Sequence, residues 1–162
     1  MEKIKTYLIG QTISSNDSEA HSLYRKSHFG EPVAGKIQYT FSEALFLVEK
    51  DKIEIFSGNK KIPEKELLKK LQRFDKRFHT KYLVFRDLRE KGYVVKTALK
   101  FGGDFRIYEK GSSPGKKHAK WIVFAASPYS APPVDAYVDG VFEYRDLIGN
   151  RWDTNGMLLA TD

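Results

Sequence analysis

The chain contains no cysteine. That absence removes disulfide cross-links, thiolate nucleophiles and cysteine-ligated zinc together, and it suits a reducing, cytoplasmic setting. Histidine is scarce: His21, His28, His79 and His118 are the only four, and no two stand at metal-ligand spacing. Long apolar runs are missing too. "WIVFAA" and "ALFLV" are too short to span a bilayer, and the N-terminus has no apolar signal-peptide core, so a soluble protein with no membrane partner is expected. There is no P-loop, no GxGxxG after a strand, no HExxH and no GxSxG, which leaves nucleotide-binding, zincin and α/β-hydrolase chemistry without an anchor. Internal repeats, low-complexity tracts and flexible linkers are likewise absent.

What is present is a basic chain of 162 residues with a formal net charge of +7, long enough for one ordinary core or two small ones. The charge favours a polyanionic partner. Its distribution is uneven. Pro63 to Gly92 carries ten Lys/Arg against five Asp/Glu, and Lys100 to Trp121 six against two, whereas Ile122 to Asp162 carries two against six. The basic segments therefore precede an acidic one.

Hydrophobic periodicity gives a coarse order of elements. "KIKTYLIGQTISS" reads as an opening strand, and "SSNDSEAHSLYRKSHFG" as a helix stopped at Gly30. "GKIQYT" reads as a strand, "SEALFLVEKD" as a helix from Ser42, and "KIEIFSG" as another strand. Pro63 in the first turn and leucines 67, 68 and 71 predict an amphipathic helix, followed by a second from roughly Lys76 to Glu90. After Gly92, "YVVKTALKFG", "DFRIYEKG" and "HAKWIVFAAS" are strand-like segments separated by glycine-containing turns, which predicts an antiparallel meander. "VDAYVDGVFEYRDLIGN" reads as a helix and "GMLLATD" as a final strand. The expected class is α+β: an N-terminal mixed α/β unit over residues 1–90, then a C-terminal α/β unit over 91–162 with a mostly antiparallel or mixed central sheet.

One constellation is a candidate for chemistry. Tyr108 ends a predicted strand, and His118 opens the next one beyond a loop of glycine, serine, proline and lysine. Imidazole exchanges protons near neutral pH. A phenol, with a reference pKa of about 10, is a weak base unless cations lie beside it; Lys110, Lys116, Lys117 and Lys120 are available. The same residues also fit a plain basic hairpin. Asp104, Glu109 and Lys110 invite comparison with metal-dependent nucleases, but Glu109 and Lys110 are adjacent and would face opposite sides of a strand. No metal and no cofactor are expected.

The segment "LKFGGDFRIYEKGSSPGKKHAKWIVF" closely resembles the tyrosine-to-histidine segment of archaeal tRNA-splicing (tRNA-intron) endonucleases. Upstream, "LYRKSHFGEP" with "GKIQYTFSEALFLVEKDKIEIF" is similar to that family's N-terminal unit, and "FHTKYLVFRDLREKGYVVKTALKFG" to its helix-to-core junction. The resemblance implies metal-independent cleavage of precursor tRNA at a bulge–helix–bulge, in which a ribose 2′-OH attacks the adjacent phosphate and leaves a 2′,3′-cyclic phosphate and a 5′-OH. It makes Tyr108 the general base and His118 the general acid, with a lysine stabilising the phosphorane. Lys110, Lys116, Lys117, Arg145 and Arg151 are the candidates for holding RNA. A homo- or hetero-oligomer with other endonuclease units is expected as well.

The sequence departs from the family near its end. Where the family has a basic run with its catalytic lysine, this chain reads "NRWDTNG", and no lysine follows Lys120. Arg151 is the nearest cation and resembles the arginines that grip a bulged base. Relatives also continue through an acidic loop and a further strand. Two expectations follow: a noncatalytic structural or RNA-binding subunit, or an active unit completed by a partner or by a longer polypeptide.

Overall fold

The structure is a computed structural model that describes residues 2–98, 103–125, 141–143 and 156–160. The observed class is the expected one, α+β, and the chain divides into two compact units, Met1–Phe78 and His79–Asp162.

In the first unit, β1 (Ile4–Ile9), β2 (Thr12–Ser15), β3 (Glu31–Val33), β4 (Lys36–Tyr39), β5 (Ile53–Ser57) and β6 (Lys60–Lys61) form one sheet in the order β3-β4-β2-β1-β5-β6. The pairing of β1 with β5 is parallel and the others are antiparallel. Alternation is clean: Ile4, Thr6 and Leu8 are buried while Lys5, Tyr7 and Ile9 are exposed, the pattern of a sheet with one covered face. The segment expected as a single opening strand is two. Gly10, at φ 61, turns the chain between β1 and β2, which the alternating pattern alone does not reveal because it continues through the turn.

Helix α1 (Ser18–Ser27) starts at Asp17, whose carboxylate accepts the Glu19 N–H at 3.1 Å. It ends at His28 rather than at Gly30. His28 takes the left-handed conformation at φ 59 and donates its backbone N–H to Tyr24 O. Helix α2 (Phe41–Glu49) opens with a reciprocal box: Thr40 Oγ1 accepts the Glu43 N–H at 3.2 Å, and Glu43 Oε1 accepts the Thr40 N–H at 3.0 Å. The other oxygen of Glu43 accepts the Gly30 N–H at 2.7 Å, so this buried carboxylate ties the helix to the chain that leaves α1. Burial, and then the charge of Glu43, push the Tyr39 phenol well above its ordinary range.

Glu43→Gln is nearly isosteric but replaces one acceptor with a donor, facing two backbone donors. It is expected to cost about 1–3 kcal/mol, read as a lower urea midpoint; an unchanged midpoint would refute the tie.

Helix α3 (Glu64–Phe74) buries Leu67 and Leu71, and Pro63, expected in its first turn, stands just before it as the N-cap. Helix α4 (Phe78–Glu90) ends in a Schellman arrangement: the Gly92 N–H bonds Arg89 O at 3.0 Å and the Tyr93 N–H bonds Leu88 O at 3.1 Å, with Gly92 at φ 95. The division at Phe78 differs from the expected one after residue 90 by this helix. Apart from its first residue, α4 falls with the second unit, where Phe85 meets Phe105 at 5.9 Å between ring centroids and Lys81 pairs with Asp104 at 3.9 Å.

The second unit holds β7 (Val94–Thr97), β8 (Phe105–Tyr108), β9 (Trp121–Ala125), β10 (Val141–Glu143) and β11 (Gly156–Ala160), ordered β10-β11-β9-β8-β7 with every pairing antiparallel. The helix expected over 134–150 is corrected at its described residues: Val141–Glu143 is a strand paired with β11. Val-Phe just after Gly140 suits a sheet, and partners far along the chain decide the outcome. Between β7 and β8, a methyl on Gly103 would collide with Ile122 Cγ2. Asp104 then accepts the Ala125 N–H at 2.8 Å.

Candidate active site

The site builds on β8. Along a strand, alternate residues share a face, so Phe105 and Ile107 lie on one side and Arg106 and Tyr108 on the other. Tyr108 is only 4% exposed and pairs in register with Val94. The Arg106 guanidinium carbon lies 6.0 Å from the Tyr108 ring centroid, and its Nε donates to Thr97 O at 2.7 Å. Arg106 thus sets positive charge beside the phenol. It was missed in the sequence reading, although its position two residues before Tyr108 in a strand was a sufficient signal.

The loop from Glu109 to Lys120 is two tight turns in succession. The Ser112 N–H bonds Glu109 O at 3.0 Å, and the Lys116 and Lys117 N–H groups bond Ser113 O at 3.1 and 3.2 Å. Gly111 at φ 77 and Gly115 at φ 91 supply conformations that L side chains rarely adopt. The Lys120 N–H then bonds Ile107 O at 2.9 Å and closes the hairpin.

His118 does not open β9, which starts at Trp121; it lies exposed in the loop with Lys116 and Lys117. The loop closes late because the Pro114–Gly115 turn uses the preceding residues. Lys110 and Lys120 are drawn elsewhere. Lys110 Nζ stands 5.2 Å over the Tyr93 ring, and Lys120 Nζ binds Glu109 Oε1 at 2.6 Å while lying 4.8 Å over Trp121. The hydrogen bond and charge of Lys120 hold the Glu109 carboxyl below its usual range. Asp104 and Glu109 therefore have separate structural partners. Among the described residues no three His, Asp or Glu side chains come together as a metal-binding group, and no helix is long and apolar enough to cross a membrane. Arg145 and Arg151 lie outside the described residues.

Comparison with known proteins assigns both units. Residues 4–68 match the N-terminal domain of tRNA intron endonuclease, and residues 78–143 its catalytic C-terminal domain. A tRNA-splicing endonuclease of Thermococcus gammatolerans is 43% identical over 119 residues, covering 73% of this chain and 69% of the relative. That of Thermococcus onnurineus is 37% identical over 138 residues, covering 85% and 81%. This chain belongs to the tRNA-splicing endonuclease family. A further relative of that description, from Methanothermobacter thermautotrophicus, is 37% identical over 106 residues, 65% of this chain and 61% of its own. Tyr108, His118 and the loop between them all lie inside the segment that matches the catalytic domain of tRNA-splicing endonucleases.

Proposed function

We propose that this chain is a unit of a tRNA-splicing endonuclease that cleaves precursor tRNA at bulge–helix–bulge junctions without a metal ion. The observation that carries the reading is the placement of a buried tyrosine at the end of β8 and an exposed histidine in the loop that follows, both within the matched catalytic domain. Tyr108 takes the proton of a ribose 2′-OH as that oxygen attacks the adjacent phosphorus. His118 gives a proton to the departing 5′-oxygen, leaving a 2′,3′-cyclic phosphate and a 5′-OH. The electron pair of the breaking P–O bond leaves with that oxygen, and the phosphorane between the two steps needs positive charge close by. Arg106, against the Tyr108 ring, and Lys116 and Lys117, exposed in the same loop as His118, are the cations that support this reading. An oligomer of such units, homomeric or mixed, holds the substrate at both junctions.

A second reading, a noncatalytic RNA-binding or structural subunit, is favoured by one observation: no lysine follows Lys120, where the family keeps its catalytic one. Loss of a preorganised donor of this kind costs on the order of 10²–10³ in rate. The two readings part in one experiment. The catalytic unit, alone or with its partner, cuts a bulge–helix–bulge RNA in EDTA and fails on the same RNA carrying a 2′-deoxy group at each scissile nucleotide. Cutting of the deoxy substrate would refute the 2′-OH mechanism; binding without cutting in every assembly would establish the noncatalytic subunit.

A further inference from the structure

The residues of the second unit left over by the cleavage chemistry form a cluster of their own. Tyr93 is fixed by the cap of α4, through its N–H bond to Leu88 O, and immediately precedes Val94, the register partner of Tyr108. Trp121 opens β9 and pairs with Ile107. The two aromatic residues thus flank β8 from opposite sides, and their rings meet edge to face, 6.2 Å apart at 87°. Both are half-buried. Trp121 shares the strand face of Ile107 and not that of Tyr108, so the cluster is distinct from the cleavage pair while lying at the same end of the sheet.

Charge gathers on these rings. Lys110 runs its aliphatic stem past Gly92, where an added methyl would touch Lys110 Cδ at 3.6 Å, and brings Nζ over Tyr93. Lys120 lies over Trp121, with its ammonium also held by Glu109; the side chains of this ion pair are 55% and 52% exposed. Two aromatic rings with two exposed ammonium groups above them are the elements that hold an unpaired nucleotide, the ring taking the base and the cations the phosphates. The segment from Lys100 to Trp121 has six basic residues against two acidic ones, which fits a polyanion better than a protein surface.

We propose that Tyr93 and Trp121, flanked by Lys110 and Lys120, form a stacking site for a single-stranded nucleotide of the RNA substrate, on the sheet face opposite Tyr108. The site rests on the reading of this chain as an RNA-cleaving or RNA-binding unit. In the free protein Glu109 occupies Lys120, and RNA phosphate takes its place on binding. Glu109 is therefore a built-in competitor.

The test is equilibrium binding of a bulge–helix–bulge RNA with 2′-deoxy scissile nucleotides, at several salt concentrations. Tyr93→Leu is expected to raise Kd by a factor of roughly 5 to 100, with Tyr93→Phe close to the parent. Lys110→Ala is expected to weaken binding and to lower the salt slope by about 1. Glu109→Gln is expected to tighten binding. Unchanged affinity in Tyr93→Leu overturns the proposal. Should that variant melt, exposed Lys110 decides, and an unchanged slope overturns it equally. A parent protein that binds no RNA sinks the underlying functional reading; a parent that binds RNA, with Tyr93→Leu and Lys110→Ala indistinguishable from it, sinks the stacking site alone.

Discussion

His118→Ala is expected to bind precursor RNA like the parent and to lose cleavage by a factor of about 10²–10⁴, the usual contribution of a positioned acid–base group. The expectation follows from where the histidine sits. His118 is exposed in a loop whose shape is set by Gly111, Gly115 and backbone bonds to Ser113, none of which involves the imidazole. Its removal leaves the fold and the lysine-rich surface intact, so melting temperature and Kd are the controls. The 2′-deoxy substrate measures the affinity without cleavage, and single-turnover cleavage of the all-ribose substrate measures the rate. A variant that cuts at the parental rate removes His118 from the chemistry. Tyr108 is a poorer first probe because it is packed at the end of β8, and its truncation to alanine mixes lost chemistry with lost packing.

Gly30→Ala is expected to lower the stability of the N-terminal unit by about 2–5 kcal/mol. Two causes add. Gly30 stands at φ 83, where a side chain costs about 1–2 kcal/mol. The new methyl would also collide with Ile37 Cγ2 and press on Gln38 O and Tyr39 Cδ1, both at 3.1 Å, and overpacking costs about 1–3 kcal/mol. Displacing this chain also pulls the Gly30 N–H from the buried Glu43 carboxylate. Gly58→Ala is the control: its φ is similar, 61, but nothing lies within 4 Å of the added methyl, so only the backbone cost remains. A thermal melt should fall by about 4–20 °C for Gly30→Ala and by clearly less for Gly58→Ala. Equal shifts would show that the collision with Ile37 is relieved at no cost.

Much of this architecture was legible along the chain because it depends on neighbours in sequence. Pro63 with its leucines specified α3, and the alternation of Ile53 and Ile55 with polar residues specified β5. Tyr108 and His118 were found because a short loop joins them, with glycines at the two positions where positive φ is required. The family resemblance implies roles for them that spacing alone left open. Elements that failed to show were those with little pattern of their own: β3 is three exposed residues and β6 is two, and both exist through pairing with β4 and β5. For the same reason Val141–Glu143 read as part of a helix until β11 paired with it.

The sequence by itself determined the two-part α+β organisation, the absence of cysteine, and the position of one tyrosine and one histidine at either end of a basic loop. Only the tertiary structure decided which cation serves which group. Lysines 110 and 120 both counted as available cations for Tyr108 along the chain, yet β8 ends at Tyr108 and β9 begins at Trp121, and the loop between them carries both lysines to Tyr93, Trp121 and Glu109. Arg106 is left beside the phenol. Charge interactions fall off with distance through space, and separation along the chain does not measure that distance.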